Sequence, residues 1–157
     1  MKIREKSFQR LLNILLADDD MDDCLLFNEA LEELPVVARL TMVHDGEQLM
    51  ERLTDKTNKL PDILFLDINM PRKNGLACLS EIKHNDKLKK LPVIIFSTSF
   101  EKEMIDRLYN DAAHYYIRKP TEFSQLKKII QIALTLIGQE KSPLPIREKF
   151  LLTGDFR

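Results

Sequence analysis

Ile63-Leu64-Phe65-Leu66-Asp67-Ile68-Asn69-Met70-Pro71-Arg72-Lys73-Asn74-Gly75 is the stretch that decides the fold. Its first four residues are apolar without a break, too few for a helix, and they lie between Pro61-Asp62 and a Met-Pro turn. Such a run reads as a strand buried on both faces, as in the middle of a parallel sheet. An aspartate at the C-terminal end of that strand is costly to bury and badly placed for packing. In open α/β sheets, ligands and chemistry gather at that end of the strands. Asp67 is therefore the candidate functional centre.

Two more runs share the form. Residues 11–17 are almost wholly apolar and end in Asp18-Asp19-Asp20, and residues 93–96 end in Ser97-Thr98-Ser99. Two segments are mixed, at residues 39–43 and 114–118, the second ending in Lys119-Pro120. Between them the apolar spacing turns helical over residues 22–34, 45–53, 101–110 and 122–137, and after Gly75 through Leu76, Leu79 and Ile82. The order is a strand and a helix, five times over. Mixed strands belong at edges, which gives a parallel sheet of five strands in the order 2-1-3-4-5. Right-handed crossovers then place helices on both faces. Strands one and three become neighbours, the winding reverses between them, and a crevice opens at their C-terminal ends. Asp18, Asp19 and Asp67 all line it. The same topology puts Cys24 and Cys78 on opposite faces, too far apart to bridge.

The totals bound the rest. A chain of 157 residues is one domain with short tails, large enough to bury roughly 70% of its unfolded surface. The domain is read as residues 11–138, with an N-terminal extension at 1–10 and a C-terminal tail at 139–157. The 24 basic and 25 acidic residues nearly cancel, so charge argues for neither nucleic acid nor an anionic membrane as partner. Apolar runs fall far short of the roughly 20 residues of a membrane span. The N-terminus lacks a signal core, and two cysteines without CxxC or CxxH spacing indicate neither a disulfide framework nor zinc. A cytoplasmic location is the expectation. The tail is too short for an effector domain, which needs at least about 50 residues. Its Phe150-Leu151-Leu152 cluster reads as a frayed end, or as a segment docking on its own domain or on a second copy in a homodimer.

Three carboxylates in one crevice repel one another, so a cation must hold them together. All-oxygen ligation with few protein donors favours Mg²⁺, which keeps several waters and often bridges to a phosphoryl group. Strands four and five bring Ser97 or Thr98 and Lys119 to the same end. A hydroxyl and an ammonium opposite a metal-bound carboxylate suit the equatorial oxygens of a phosphoryl group. Aspartate can itself be the nucleophile and form an acyl phosphate. His114 precedes its strand, and no other histidine falls at a strand end near the site. His44, His84, His114 and Arg118 are read as surface or structural residues.

Taken together, Asp18-Asp19, the motif from Asp67 through Asn69-Met70-Pro71 to Gly75, the hydroxyl after strand four, and Lys119-Pro120 resemble the receiver domain of bacterial response regulators (CheY-like). The resemblance covers roughly residues 11–138 with every motif in order. It implies a flavodoxin-like doubly wound (βα)5 fold and a signalling domain that accepts a phosphoryl group on Asp67. The donor would be a sensor histidine kinase or a phosphotransfer protein. Asp18, Asp19 and Asp67 would bind Mg²⁺, joined by the backbone carbonyl of Asn69. Ser97 would hold a phosphoryl oxygen, Lys119 would pair with the acyl phosphate, and Tyr116 would be the aromatic switch, rotating inward and altering the surface read by a downstream protein.

Ser97 stands where threonine is commoner, Asp20 adds a third acid, and Ala112-Ala113 replaces a frequent Gly-Ala. The loops at residues 54–60 and 88–92 look similar to single-domain regulators serving bacterial phytochromes. Two other readings compete. A haloacid-dehalogenase type phosphatase usually carries a second aspartate where Asn69 stands and needs a cap domain. A receiver-shaped scaffold that binds without phosphorylation would not need the complete set of acids, hydroxyl and lysine.

Overall fold

The structure is a computed structural model that describes residues 10–138 and 144–153. The expected N-terminal extension, Arg10 apart, and residues 139–143 and 154–157 of the tail lie outside the described residues. Along the chain run β1 (Leu12–Ala17), α1 (Met21–Glu32), β2 (Ala38–Val43), α2 (Gly46–Thr54), β3 (Ile63–Leu66) and α3 (Gly75–Lys83). They are followed by β4 (Val93–Ser97), α4 (Lys102–Asn110), β5 (Tyr115–Arg118), α5 (Phe123–Gly138), α6 (Arg147–Phe150) and β6 (Leu151–Leu152).

All strands pair in parallel in the order β2-β1-β3-β4-β5-β6. This is the doubly wound sheet expected, with one correction. The sheet has six strands, because the tail returns to add Leu151 opposite Tyr116 and Leu152 opposite Ile117. β5 is consequently an inner strand. The polar character of His114 and Arg118 at its ends suggested an edge, but Tyr116 and Ile117 between them are wholly buried. The described part of the tail is therefore not frayed; it docks on its own domain.

Alternation along the strands divides the core in two. Leu15, Leu64 and Ile95 face α2, α3 and α4, whereas Leu16, Phe65 and Phe96 face α1 and α5. On the second side Phe27, Phe65 and Phe96 meet edge to face with centroids 4.9–6.3 Å apart, the arrangement that ring quadrupoles favour. Cys24 lies in the α1 side and Cys78 in the α3 side, both free and buried.

Three helix starts are set by side-chain caps. Asp20 accepts from the amide of Asp23, Asp45 from Gln48 and Asn74 from Ala77, each satisfying an amide that has no partner within its helix. Asp20, the extra acid of the sequence, is thus the cap of α1. Ser97 caps nothing: α4 begins only at Lys102. The Ser97 hydroxyl instead accepts from the Ser99 amide at 3.3 Å and faces the crevice beside Asp67.

Candidate functional site

Strand register places the acids. Ala17 is paired with Leu66, so Asp18 and Asp67 each follow the last paired residue of adjacent strands. The Asp67 amide donates to the Ala17 carbonyl at 3.0 Å and the Asp18 amide to the Val43 carbonyl at 3.0 Å. Both chains therefore stay pinned up to the point where the carboxylates emerge. Carboxylate oxygens of Asp18, Asp19 and Asp67 all lie within 4.8 Å of one another. Asp18 is fully buried and Asp67 nearly so, whereas Asp19 is exposed.

The backbone behind Asp67 is tightly held. The Gly75 amide donates to the Ile68 carbonyl at 2.7 Å, and the Ile68 amide to Asp67 Oδ1 at 2.8 Å. A Cβ on Gly75 would run into the Asp67 carbonyl and come 2.8 Å from Ile68 Cα. This close approach is what the glycine at the end of the motif provides. Asn69 sits in the intervening loop, exposed, with its side-chain amide donating to Ser99 Oγ at 3.3 Å.

Lys119 closes the crevice from the β5 end. Its amide donates to the Ser97 carbonyl at 2.9 Å, and its ammonium reaches Asp18 Oδ2 at 2.7 Å, Asp23 Oδ2 at 2.9 Å and Asp67 Oδ2 at 3.7 Å. Ser97 is fully buried at the end of β4. Its hydroxyl neighbours both Asp67 and the Tyr116 phenol. Tyr116 is wholly buried, and its phenol donates to the Ser99 carbonyl at 2.6 Å. The ring already occupies the inside of the sheet's edge region, covered by Phe150.

Burial sets the electrostatics. It raises the Asp18 carboxyl above its ordinary value, against the opposing pull of Lys119. It pushes Asp67 from 3.8 up to about 6; Lys119 works against this shift and the Asp18 charge adds to it. Burial alone would lower Lys119, but its contacts with Asp18 and Asp23 outweigh that and hold it above its ordinary value. Clustered acids beside one ammonium are the condition a divalent cation relieves. The fit is concrete at one atom. Asp18 Oδ2 is buried and, despite the nearby ammonium, accepts no well-aligned hydrogen bond. An all-oxygen set with one such unsatisfied oxygen and an exposed side at Asp19 suits Mg²⁺ with waters completing its shell.

The crevice thus gathers Asp18, Asp19, Asp67, Ser97 and Lys119, with Asn69 on the adjoining loop and Tyr116 behind Ser97. Two neighbours escaped the reading of the sequence. His44, taken as surface or structural, places Nδ1 3.1 Å from the Asp18 carbonyl oxygen. Asp23, to which the sequence assigned no role, pairs with Lys119 across 96 residues of chain.

Residues 14–131 match the family described as the response regulator receiver domain. The chain is 30% identical over 136 residues to the probable methanogenesis regulatory protein FilR2 of Methanothrix harundinacea, covering 84% of this chain and 88% of that one. It is 30% identical over 122 residues to response regulator Rcp1 of Synechocystis, covering 75% and 83%. Among solved structures, the phosphorylated cyanobacterial phytochrome response regulator RcpA is similar with 31% identity and a TM-score of 0.76, over 87% of this chain and 99% of that one. The Mn²⁺-bound form of Rcp1 is similar with 29% identity and a TM-score of 0.74, over 85% and 99%.

Proposed function

The chain belongs to the response regulator receiver family, and from that premise we propose that it accepts a phosphoryl group on Asp67 and signals through protein contacts. The observation that carries the reading is the convergence of Asp18, Asp19 and Asp67 within 4.8 Å of one another, with the Lys119 ammonium 3.7 Å from Asp67. The donor is a phosphohistidine on a sensor histidine kinase or a phosphotransfer protein. An Asp67 carboxylate oxygen attacks the phosphorus, the N–P bond of the donor breaks, and the imidazole leaves with the bond pair and takes up a proton. Asp67 must be ionised to attack, and with its pKa near 6 the carboxylate is largely in that form at neutral pH.

Mg²⁺ held by Asp18, Asp19, Asp67 and the Asn69 carbonyl would neutralise charge on the transferring phosphoryl oxygens. Lys119 pairs with one equatorial oxygen and Ser97 donates to another, so most of the barrier reduction is positioning and electrostatics. The chain turns over only its own phosphoryl group, in keeping with a signalling domain rather than an enzyme acting on a separate pool of substrate. Phosphorylation draws Ser97 toward the phosphoryl oxygen and biases Tyr116 beside it. That alters the surface of α4, β5 and α5 presented to a downstream protein partner. Switches of this kind couple two sites by about 1–3 kcal/mol.

Similarity to regulators named for phytochrome signalling, RcpA and the bacteriophytochrome response regulator RtBRR among them, supports a phytochrome-type kinase as the donor. No described helix is long and apolar enough to cross a membrane; a cytoplasmic site of action fits a kinase partner of that kind. A second copy of the chain is a further partner, tested by sizing chromatography before and after the tail is trimmed. The decisive experiment is labelling by a small phosphodonor. Asp67→Asn should take up no label while keeping its fold, and equal labelling of variant and parent would remove Asp67 from its role.

A further inference from the structure

Asp23 has no part in the phosphoryl chemistry just described, yet it makes the better-aligned contact with the lysine of the crevice. The Lys119 ammonium has three N–H groups and a side chain only 9% exposed. Its shortest contact, 2.7 Å to Asp18 Oδ2, is an ion pair that lies off the direction of a well-formed hydrogen bond. The contact to Asp23 Oδ2 at 2.9 Å is a well-formed hydrogen bond. Asp67 lies farther, at 3.7 Å. The two closest anions differ in kind. Asp18 belongs to the group of acids close enough together to hold a cation; Asp23 does not.

Asp23 is also held in place. Its own amide donates to the Asp20 cap at 3.1 Å, which fixes it in the first turn of α1. A cation drawn onto Asp18 weakens that carboxylate's hold on Lys119 and repels the ammonium. Asp23 is then the anion that keeps the two positive charges in one crevice. We propose that Asp23 is the positioning residue for Lys119: it anchors the ammonium on the α1 wall, so that Asp18 is given over to the cation and a free N–H faces Asp67. The inference rests on Asp67 as phosphoacceptor for its purpose, but not for its geometry.

The test compares the parent chain with Asp23→Asn, which keeps size and loses charge, and Asp23→Glu, which restores the charge. Two readouts are taken in Mg²⁺: the ¹⁵N resonance of the Lys119 ammonium, assigned by its absence in Lys119→Met, and the rate of labelling by acetyl phosphate. The parent should show a protected ammonium resonance. Asp23→Asn should lose it and label about tenfold more slowly, as expected for one charge-assisted hydrogen bond. Asp23→Glu should recover part of both, with the three chains melting alike. A resonance that survives in Asp23→Asn overturns the anchor. A lost resonance with an unchanged rate overturns the claim that the anchor serves the reaction. If the parent takes up no label, the phosphoacceptor reading falls, while the resonance still decides whether Asp23 holds Lys119.

Discussion

Asp18 and Asp67 stand side by side, each one residue beyond the registered pair of Ala17 and Leu66, and burial raises the pKa of both. Parallel strands of equal reach have brought two acids to one level of the sheet. The fold therefore stores repulsion at its functional end.

That repulsion has a pH signature. Asp67 titrates near 6 in the folded chain against an ordinary 3.8. A raised acid contributes stability that is full below about 3.8 and is lost as pH rises through about 6. The gap corresponds to about 3 kcal/mol, and the shift at Asp18 has the same sign. In chelator, the metal-free protein should therefore unfold at lower urea near neutrality than near pH 4, allowing for the other carboxylates. Asp67→Asn should flatten this slope and be the more stable chain at pH 7. Parallel urea-midpoint curves for the two chains would contradict the assignment.

Mg²⁺ should act in the opposite sense. An ion that binds only the folded chain stabilises it by about 2.7 kcal/mol at a hundred times its dissociation constant. Thermal melts with increasing Mg²⁺ should shift upward for the parent and stay nearly still for Asp18→Asn, which removes the buried oxygen that lacks a hydrogen bond. Equal shifts in both would place the ion elsewhere.

Gly75 is a prediction of sterics alone. A methyl there meets the Asp67 carbonyl and Ile68 Cα, both backbone and neither able to swing away. Gly75→Ala should destabilise the fold by at least about 2–3 kcal/mol. Any folded fraction should label more slowly, because Asp67 must shift. A melt within a degree of the parent would show that the loop yields.

The tail can be tested through Phe150. It is fully buried, 5.3 Å from the Tyr109 ring and 6.3 Å from Tyr116 by centroid. Nearby Arg147 ties to Asp106 of α4 at 2.6 Å. Phe150→Ala should cost about 3–5 kcal/mol of tail docking, enough to free the segment while the rest of the domain stays folded. Limited proteolysis should then cut the tail at protease concentrations that leave the parent intact, and tyrosine fluorescence should report a wetter Tyr116. Unchanged protection would mean that the short β6 pairing suffices.

The crevice was legible because its parts announce themselves locally. Three apolar runs each end in a polar residue that packing cannot use: Asp18, Asp67 and Ser97. Their common placement follows from topology. What escaped depended on distant chain. Tyr116 looks like an edge residue until Phe150 and Leu151, more than thirty positions later, cover it. Asp23 and Asp22 are indistinguishable as first-turn acids, and only the position of Lys119 tells which one is paired. Phe150-Leu151-Leu152, an apolar cluster in a charged tail, did signal docking, but nothing local to it told that the surface would be the flank of β5.

β6 and Phe150 occupy the flank of β5 that borders α4. Any protein seeking that flank meets a ligand already attached to the same polypeptide, and so present at an effective concentration that a free competitor reaches only in the millimolar range. Recognition there is an exchange reaction, and its apparent strength depends as much on how easily the chain's own end lets go as on what the newcomer offers.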